Sequence, residues 1–199
     1  MIIRCWGARG SIAVSGKEFL KYGGDTSCVE VTSNVGGTII IDAGTGIRAL
    51  GCSLVRKKEV KLHLLLTHSH WDHLSGFPFF KPIYRKDSVI KIYGPQPSQD
   101  SLRRIVSKTM TSPFFPVELE DINADIEFLG MGNRDYSIGR VKIQTIPLSH
   151  PNPGVGYRLT EDGKSFVFLT DNELTYDHYG RATYEQYVRF AKGAHLMFH

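Results

Sequence analysis

The stretch THSHWDH occupies residues 67–73 and follows directly on the apolar run Val60–Leu66. Imidazole nitrogens and carboxylate oxygens are the usual ligands of zinc and similar divalent cations. One histidine would be explained more simply by a bond to a backbone carbonyl, but that explanation must hold here for several side chains at once. The pattern therefore predicts a metal site at the end of a buried strand, and its candidate ligands are His68, His70, Asp72 and His73.

The spacing within this motif favours two neighbouring ions. In an extended stretch, His68 and His70 point to the same side of the chain. If the chain turns at Trp71, Asp72 and His73 can face a second ion beside the first. Two ions about 3.5–4 Å apart would polarise an ester oxygen and hold a bridging hydroxide as the nucleophile. The motif thus indicates a dinuclear hydrolytic site.

Three further candidate ligands stand singly along the chain. His150 precedes a proline, which favours extended geometry at the exit of its strand, although a histidine in a turn explains it about equally well. Asp171 lies in Thr170–Glu173, which also fits a capping box that starts a helical turn. Asp42 is explained more simply as a turn or cap residue ahead of the predicted helix Gly46–Arg56.

One regularity connects these single residues with the motif. Each follows the carboxyl end of an apolar segment that reads as a strand. In α/β sheets, ligands bind at that edge. We therefore expect one common site there, formed by Asp42, His68, His150, Asp171 and His199.

Composition places the chain among ordinary globular proteins. It has 199 residues, 41% hydrophobic and 22% charged, which fits one domain spanning residues 1–199. The three cysteines are an odd number without paired spacing, which favours a reducing, cytoplasmic location. No apolar run approaches the roughly 20 residues of a membrane span, so no membrane partner is expected. The net charge of +4 suits a small anionic substrate; nucleic acid is an alternative that this charge does not indicate.

Hydrophobic periodicity predicts an alternation of strand runs and helices. Helices are predicted at Gly46–Arg56, Ser98–Met110 and Thr183–Lys192, and Thr111–Asp121 reads as an aromatic loop or lid. Strands in runs with helices between them indicate an α/β or α+β fold with mixed sheets. The predicted strands are Ile2–Trp6, Cys28–Thr32, Thr38–Ile41, Val60–Leu66, Val89–Tyr93, Ile126–Leu129, Val141–Ile146, Val155–Leu159, Phe166–Leu169 and Ala194–Phe198.

With these residues in view, the chain resembles the metallo-β-lactamase-fold hydrolases along its whole length. The H-x-H-x-D-H motif at residues 68–73, the later His150 and the later Asp171 match that superfamily in order and rough spacing. A branch that holds phosphodiesterases of the phosphonate-degradation pathway and relatives of ribonuclease Z is similar in finer detail. That similarity lies in WGARGS at residues 6–11, YGGDTSC at 22–28, GFPFF at 76–80 and FPV at 115–117.

The resemblance implies a specific fold and ligand set. The fold would be an α/β, αββα sandwich with two divalent metal ions at one edge, zinc by default and manganese or iron as alternatives. Asp42 would orient a metal ligand. One ion would be held by His68, His70 and His150, the other by Asp72 and His73, and Asp171 would lie between them.

Two features of the chain differ from the branch's pattern: the residue at position 25 and the end of the sequence at His199. Asp25 occupies a position where the branch commonly has asparagine. Family members continue past the position of His199 and supply another metal-binding histidine near a Gly-His-Ser segment. We therefore expect the natural chain to continue, and the ion at Asp72 and His73 to bind more weakly in the 199-residue form. His199 resembles a histidine that lies beside the metals and can protonate a leaving oxygen.

The function predicted is metal-dependent hydrolysis of a phosphodiester, such as a cyclic nucleotide or a related small diester. Asp72 and His199 are the candidate catalytic residues. Hydrolysis of a thioester or lactam on the same fold, and a metal-binding domain without turnover, are the alternatives. The aromatic segments Phe77–Phe80 and Pro113–Pro116 could line a pocket or form a homodimer contact, and core packing is expected for at least half of their aromatic rings.

Overall fold

The computed structural model describes residues 1–35, 37–95, 99–131, 134–176 and 178–199. Its helices are α1 (Ile47–Leu54), α2 (Trp71–Leu74), α3 (Gln99–Ser107) and α4 (Tyr184–Ala191). Its strands are β1 (Ile2–Gly7), β2 (Cys28–Thr32), β3 (Thr38–Ile41), β4 (Val60–Leu65), β5 (Ser88–Gly94), β6 (Asp125–Gly130), β7 (Tyr136–Ile138), β8 (Val141–Pro147), β9 (Val155–Glu161), β10 (Lys164–Phe168) and β11 (Leu196–Phe198).

The first sheet is mixed and has the order β1-β2-β3-β4-β5-β6. The pairs β1–β2 and β2–β3 are antiparallel, whereas β3 to β6 run parallel to one another. All four residues of β3 are buried, which is typical of a strand covered on both faces. Because β3 and β4 are parallel neighbours, the segments that follow them leave the sheet at the same edge.

The second sheet has the order β11-β10-β9-β8-β7. Its pairs are antiparallel except for β10 and β11, which are parallel. Since β9 is antiparallel to both of its neighbours, β8 and β10 run in the same direction as β11. The carboxyl ends of these three strands therefore lie together at one edge of the sheet.

Four layers result from the packing of these sheets. The two sheets bury an apolar core between them, with Ile41 from one sheet and Phe166 from the other. The outer face of the first sheet packs against α1 and α3, and that of the second against Tyr187 of α4. This arrangement confirms the predicted αββα sandwich. Within the described residues, no helix is long and apolar enough to span a membrane.

Two short strands differ from the prediction. β7 was not predicted, because three residues show too little alternation to be recognised. The last strand comprises only Leu196–Phe198, and it lies at the edge of its sheet with Leu196 and Met197 exposed. The expected buried strand over Ala194–Phe198 is therefore wrong in length and in burial.

The capping box expected at Thr170–Glu173 is absent. These residues form a turn, not the start of a helix, and Asp171 has a φ of 57°. The Thr170 hydroxyl has no hydrogen-bond partner in the structure. Asp171 therefore has no capping role, and the competing explanation for this residue is removed.

The aromatic segments divide between core and surface. Phe77 and Phe80 are buried, as core packing requires. Phe79 is 55% exposed and Phe114 is 90% exposed. Phe115 meets Phe79 edge to face, with ring centroids 5.5 Å apart. The segment Thr111–Asp121 is mostly loop and ends in a short 3-10 helix at Leu119–Asp121, while Ser98 of the predicted third helix lies outside the described residues.

Leu64 offers a direct test of this packing. It is fully buried in β4 against the helical layer, so Leu64→Ala removes core contacts and leaves a cavity. We expect the free energy of unfolding to fall by about 2–5 kcal/mol. Leu20, which is 80% exposed, is the matched control, and Leu20→Ala should stay within about 0.5 kcal/mol of the wild type. Equal effects in urea unfolding would contradict the assigned layers.

Candidate metal centre

The edge where both sheets end carries every predicted ligand. In the first sheet, β4 leads into His68, and His70 is the residue before α2 with extended backbone angles. The turn expected at Trp71 is therefore the start of α2, whose first turn presents Asp72 and His73. In the second sheet, His150 follows β8 and Asp171 follows β10. The site is thus assembled from both halves of the sandwich.

Two groups of side chains could each hold an ion. One consists of His68, His70 and His150, and the other of His68, His73 and Asp171; within each group the candidate ligand atoms lie within 4.8 Å of one another. The Nε2 atom of His150 is 2.9 Å from Nδ1 of His70. Nε2 of His73 is 2.9 Å from a carboxylate oxygen of Asp171. Four imidazoles and a carboxylate therefore converge at one place.

The donor set fits divalent metal ions. Nε2 of His68 is buried without a hydrogen-bond partner, although buried polar atoms are nearly always satisfied. This nitrogen belongs to both groups of candidate ligands, so a cation there would satisfy it. Nitrogen and oxygen donors without thiolate are typical of zinc, and they also accept manganese and iron.

Asp72 lies at the margin of this cluster. Its carboxylate is 3.5 Å from Nε2 of His73, and it also accepts a 2.7 Å hydrogen bond from the backbone N–H of Ser11. Asp72 belongs to neither three-residue group, so the structure brings it beside the second group without including it. Its predicted role as a ligand remains a prediction.

Asp42 orients two of the histidines: His73 directly and His68 through the hydroxyl of Thr67. This fully buried carboxylate accepts hydrogen bonds from the hydroxyl of Ser27 and from both the N–H and the hydroxyl of Thr67. It is also 2.7 Å from Nδ1 of His73, which can therefore donate to it and leave Nε2 free. The Thr67 hydroxyl, having donated to Asp42, accepts from Nδ1 of His68 at 3.1 Å. Both histidines thus direct Nε2 into the site, where Nε2 of His68 offers a lone pair and Nε2 of His73 faces Asp171.

The other two histidines have partners that the sequence did not indicate. The side-chain amide of Asn152 is 2.6 Å from Nε2 of His70, on the side away from His150. Nδ1 of His150 lies 3.7 Å from a carboxylate oxygen of Glu173, whose other oxygen is 3.3 Å from His178. Asn152 lies in no recognisable motif, and the capping-box pattern at Thr170–Glu173 does not indicate that Glu173 lies near a histidine, so only the fold reveals these neighbours.

The ionisation of the histidines suits the binding of a cation. Burial, together with His73, lowers the pKa of His68 to about 4, so this imidazole is neutral near pH 7 and can ligate. Burial alone would lower the pKa of His73, but Asp42 and Asp171 raise it to about 10. The hydrogen bond from His73 lowers the pKa of Asp171 in turn. This part of the site therefore favours positive charge, which a proton supplies when no metal is bound.

Two of the site's aspartates have an unusual backbone conformation. Asp42 has a φ of 63° and Asp171 a φ of 57°. Left-handed backbone is unfavourable for residues with a Cβ atom, although aspartate tolerates it better than most. Such positions cluster at functional sites, where the surrounding structure holds them. Both turns let the chain leave its strand sharply, which keeps the carboxylates close to the histidines.

His199, the remaining predicted catalytic residue, is exposed and lies beside the metal centre. It lines a cleft of about 530 Å³ together with His73 and Asp171. The structure therefore places His199 at the site, while its role in proton transfer remains a prediction.

Comparison with known proteins agrees with this architecture. The family described as "Beta-lactamase superfamily domain" matches residues 37–190 of the chain. The match covers more than half of the sequence, and it includes every strand from β3 to β10 and most of α4. The chain therefore belongs to the beta-lactamase superfamily, and its αββα sandwich is the metallo-β-lactamase fold.

The individual relatives share only a small fraction of identical residues with this chain. Ribonuclease Z of Haloarcula marismortui is 25% identical over 134 residues, which cover 66% of this chain and 40% of the relative. The aligned part thus spans about two fifths of the length of the curated relatives. The fold is similar to that of the metallo-beta-lactamase fold protein YhfI from Bacillus subtilis, with a TM-score of 0.65 at 15% identity, covering 98% of this chain and 68% of that one. The fold is also similar to that of the short form of human tRNase Z, with a TM-score of 0.59 at 17% sequence identity. That superposition covers 99% of this chain and 76% of the human protein.

Removal of the negative charge of Asp42 should weaken metal binding at the site. We expect Asp42→Asn to lower the affinity for zinc by about 10–100-fold, because the amide can no longer accept every bond that orients His73 and Thr67. Asp125→Asn, at the exposed start of β6, is the matched control and should leave the affinity unchanged. The measurement is competition with a chelator of known affinity. Equal zinc affinities in the two variants would show that Asp42 does not position the ligands.

Proposed function

We propose that this chain is a metal-dependent hydrolase that cleaves a phosphodiester. The observation that carries the proposal is the convergence of four histidines and Asp171 at one open edge of the sandwich. In this reading His68, His70 and His150 would hold one cation, Asp72 and His73 would hold a second, and Asp171 would supply a carboxylate to both. Divalent cations there would neutralise charge on the phosphoryl oxygens and activate water for attack.

The chain's own residues prepare the site for this chemistry. The low pKa of His68 keeps a lone pair available near neutral pH. Asp42 fixes the orientation of His73, so little reorganisation is needed when the cation enters. His199 lines the same cleft, and an imidazole there can deliver a proton to the leaving oxygen.

The substrate class follows from the relatives and the cleft together. The curated relatives bear the name ribonuclease Z, and a ribonuclease cleaves phosphodiester bonds. The cleft of about 530 Å³ is of the size that accepts a small ligand. We therefore propose a small phosphodiester, such as a cyclic nucleotide, as the substrate, with RNA as the alternative that the relatives suggest.

The test compares substrates and variants in parallel. The zinc-loaded chain should hydrolyse bis(p-nitrophenyl) phosphate faster than a chromogenic thioester, and dialysis against a chelator should abolish the activity. His70→Ala should lower both the bound zinc and the rate, because His70 lies in the first ligand group.

The matched control for this test is His63→Ala. His63 lies within β4, where it contacts Tyr93 instead of the cluster, so its zinc content should match the wild type. Preference for the thioester would favour the alternative hydrolase. Bound zinc without turnover of any ester would favour a binding domain. Unchanged zinc content in folded His70→Ala would remove His70 from the ligand set.

A substitution of Asp171 tests separately whether its carboxylate would bind both proposed cations. Asp171→Asn removes the charge but hardly changes the shape, and an amide is a poor bridge between cations. Because no helix starts at Thr170, no cap is lost, but the metal-free protein loses the ion pair between Asp171 and protonated His73. We therefore expect the metal-free variant to stay folded with a lower melting temperature. We expect the rate of diester hydrolysis to fall by about 100-fold or more. A rate like that of the wild type would refute the bridging role.

A further inference from the structure

The segment Ala8–Ser11 of the WGARGS stretch borders the metal centre without contributing a metal ligand. It is attached to the site at one end, where the N–H of Ser11 donates to the carboxylate of Asp72 at 2.7 Å. At the other end, the N–H of Arg9 donates to the carbonyl of Asp25 at 3.0 Å, and Arg9 forms an isolated parallel bridge with Thr26. The backbone of this segment is thus held at Arg9 itself and again at Ser11.

Arg9 lines the same cleft as His73, Asp171 and His199. Among the described residues that line the cleft, Arg9 is the one arginine or lysine. It is exposed, and its guanidinium carbon lies 5.3 Å from the ring centroid of Phe19. Contact with an aromatic face supports the cation and leaves its N–H donors free.

Arg9 also lacks a carboxylate partner in the described part of the chain. Arg4, Arg85 and Arg103, by contrast, each form an ion pair with a carboxylate. A guanidinium without an acidic partner, placed beside a metal centre, is available to an anion from solution. Its fork of N–H donors matches the oxygens of phosphate.

Part of the cleft lining is apolar, because Met197 is 47% exposed and Phe198 is half-buried there. A ligand that contacts both Arg9 and these two side chains carries an anionic group and an apolar or aromatic substituent. An aryl or nucleoside ester of phosphate has these two parts.

We propose that Arg9 binds the phosphoryl group of such an anionic ester and makes the site prefer anionic esters to neutral ones. This inference rests on the proposed function, because it assumes that the ester reaches the metal centre through this cleft. Arg9 contributes charge and hydrogen bonds to the anion and ligates no metal.

The experiment uses three variants of the zinc-loaded chain. Arg9→Gln removes the charge, Arg9→Lys retains it without the fork, and Arg140→Gln makes the same charge change in the turn before β8, at the end of that strand away from the site. Zinc content and circular dichroism establish that each variant is loaded and folded. The probes are inorganic phosphate in calorimetry, bis(p-nitrophenyl) phosphate as the anionic ester, and p-nitrophenyl acetate as the neutral ester.

We expect Arg9→Gln to raise the Kd of phosphate and the KM of the diester by about tenfold. Arg9→Lys should lie between this variant and the wild type, because a lysine keeps the charge alone. Turnover of the neutral ester should change less than about twofold in Arg9→Gln, since it lacks the anion that Arg9 binds. Arg140→Gln should behave as the wild type in every assay.

Two results would overturn the proposal. Unchanged phosphate affinity in Arg9→Gln would show that Arg9 binds no anion, even if the wild type hydrolyses the diester as proposed. Equal losses on the charged and the neutral ester would show a merely structural role for Arg9. If the wild type binds phosphate through Arg9 but cleaves no diester, the anion site stands and the proposed function fails.

Discussion

The buried carboxylate of Asp42 is the constraint on which the rest of the site depends. A charge without exposure to water is costly unless hydrogen bonds satisfy it, and here Ser27, Thr67 and His73 do so. Those same bonds set which nitrogen of His73 faces inward. They also join the end of β3 to the start of the metal motif after β4. One buried group thus connects the parallel strands of the first sheet with the chemistry at their edge.

The candidate ligands with the clearest signal in the sequence are those in the dense local motif. His68 and His73 belong to a six-residue motif, and no packing pattern explains such a density. The strands of the parallel sheet were also predictable, because buried strands such as β3 read as continuous apolar runs. The pattern that links Asp42, His150 and Asp171 was visible only because each follows the end of a strand. Their convergence depends on the topology of both sheets, which one sequence indicates only through resemblance.

Several features of the structure could not be predicted from the sequence, and each has a physical reason. Asn152 lies beside His70 and Glu173 lies beside His150, and each pair is far apart along the chain, so the spacing in the sequence does not indicate them. The capping box at Thr170 failed because the same residue types also suit a tight turn, and the left-handed backbone of Asp171 decided between the two. Short elements such as β7 lie below the length at which alternation is informative.

The division of the ligands between the two sheets has a mechanical consequence. His68 and His70 follow a strand of one sheet, whereas His150 follows a strand of the other, about eighty residues later in the chain. A cation bound by all three would act as a cross-link at the open edge of the sandwich, and would close a long loop much as a disulfide does. Separation of one sheet from the other would then require release of the ion. Binding of the cation would in this way stabilise the folded arrangement of the two sheets.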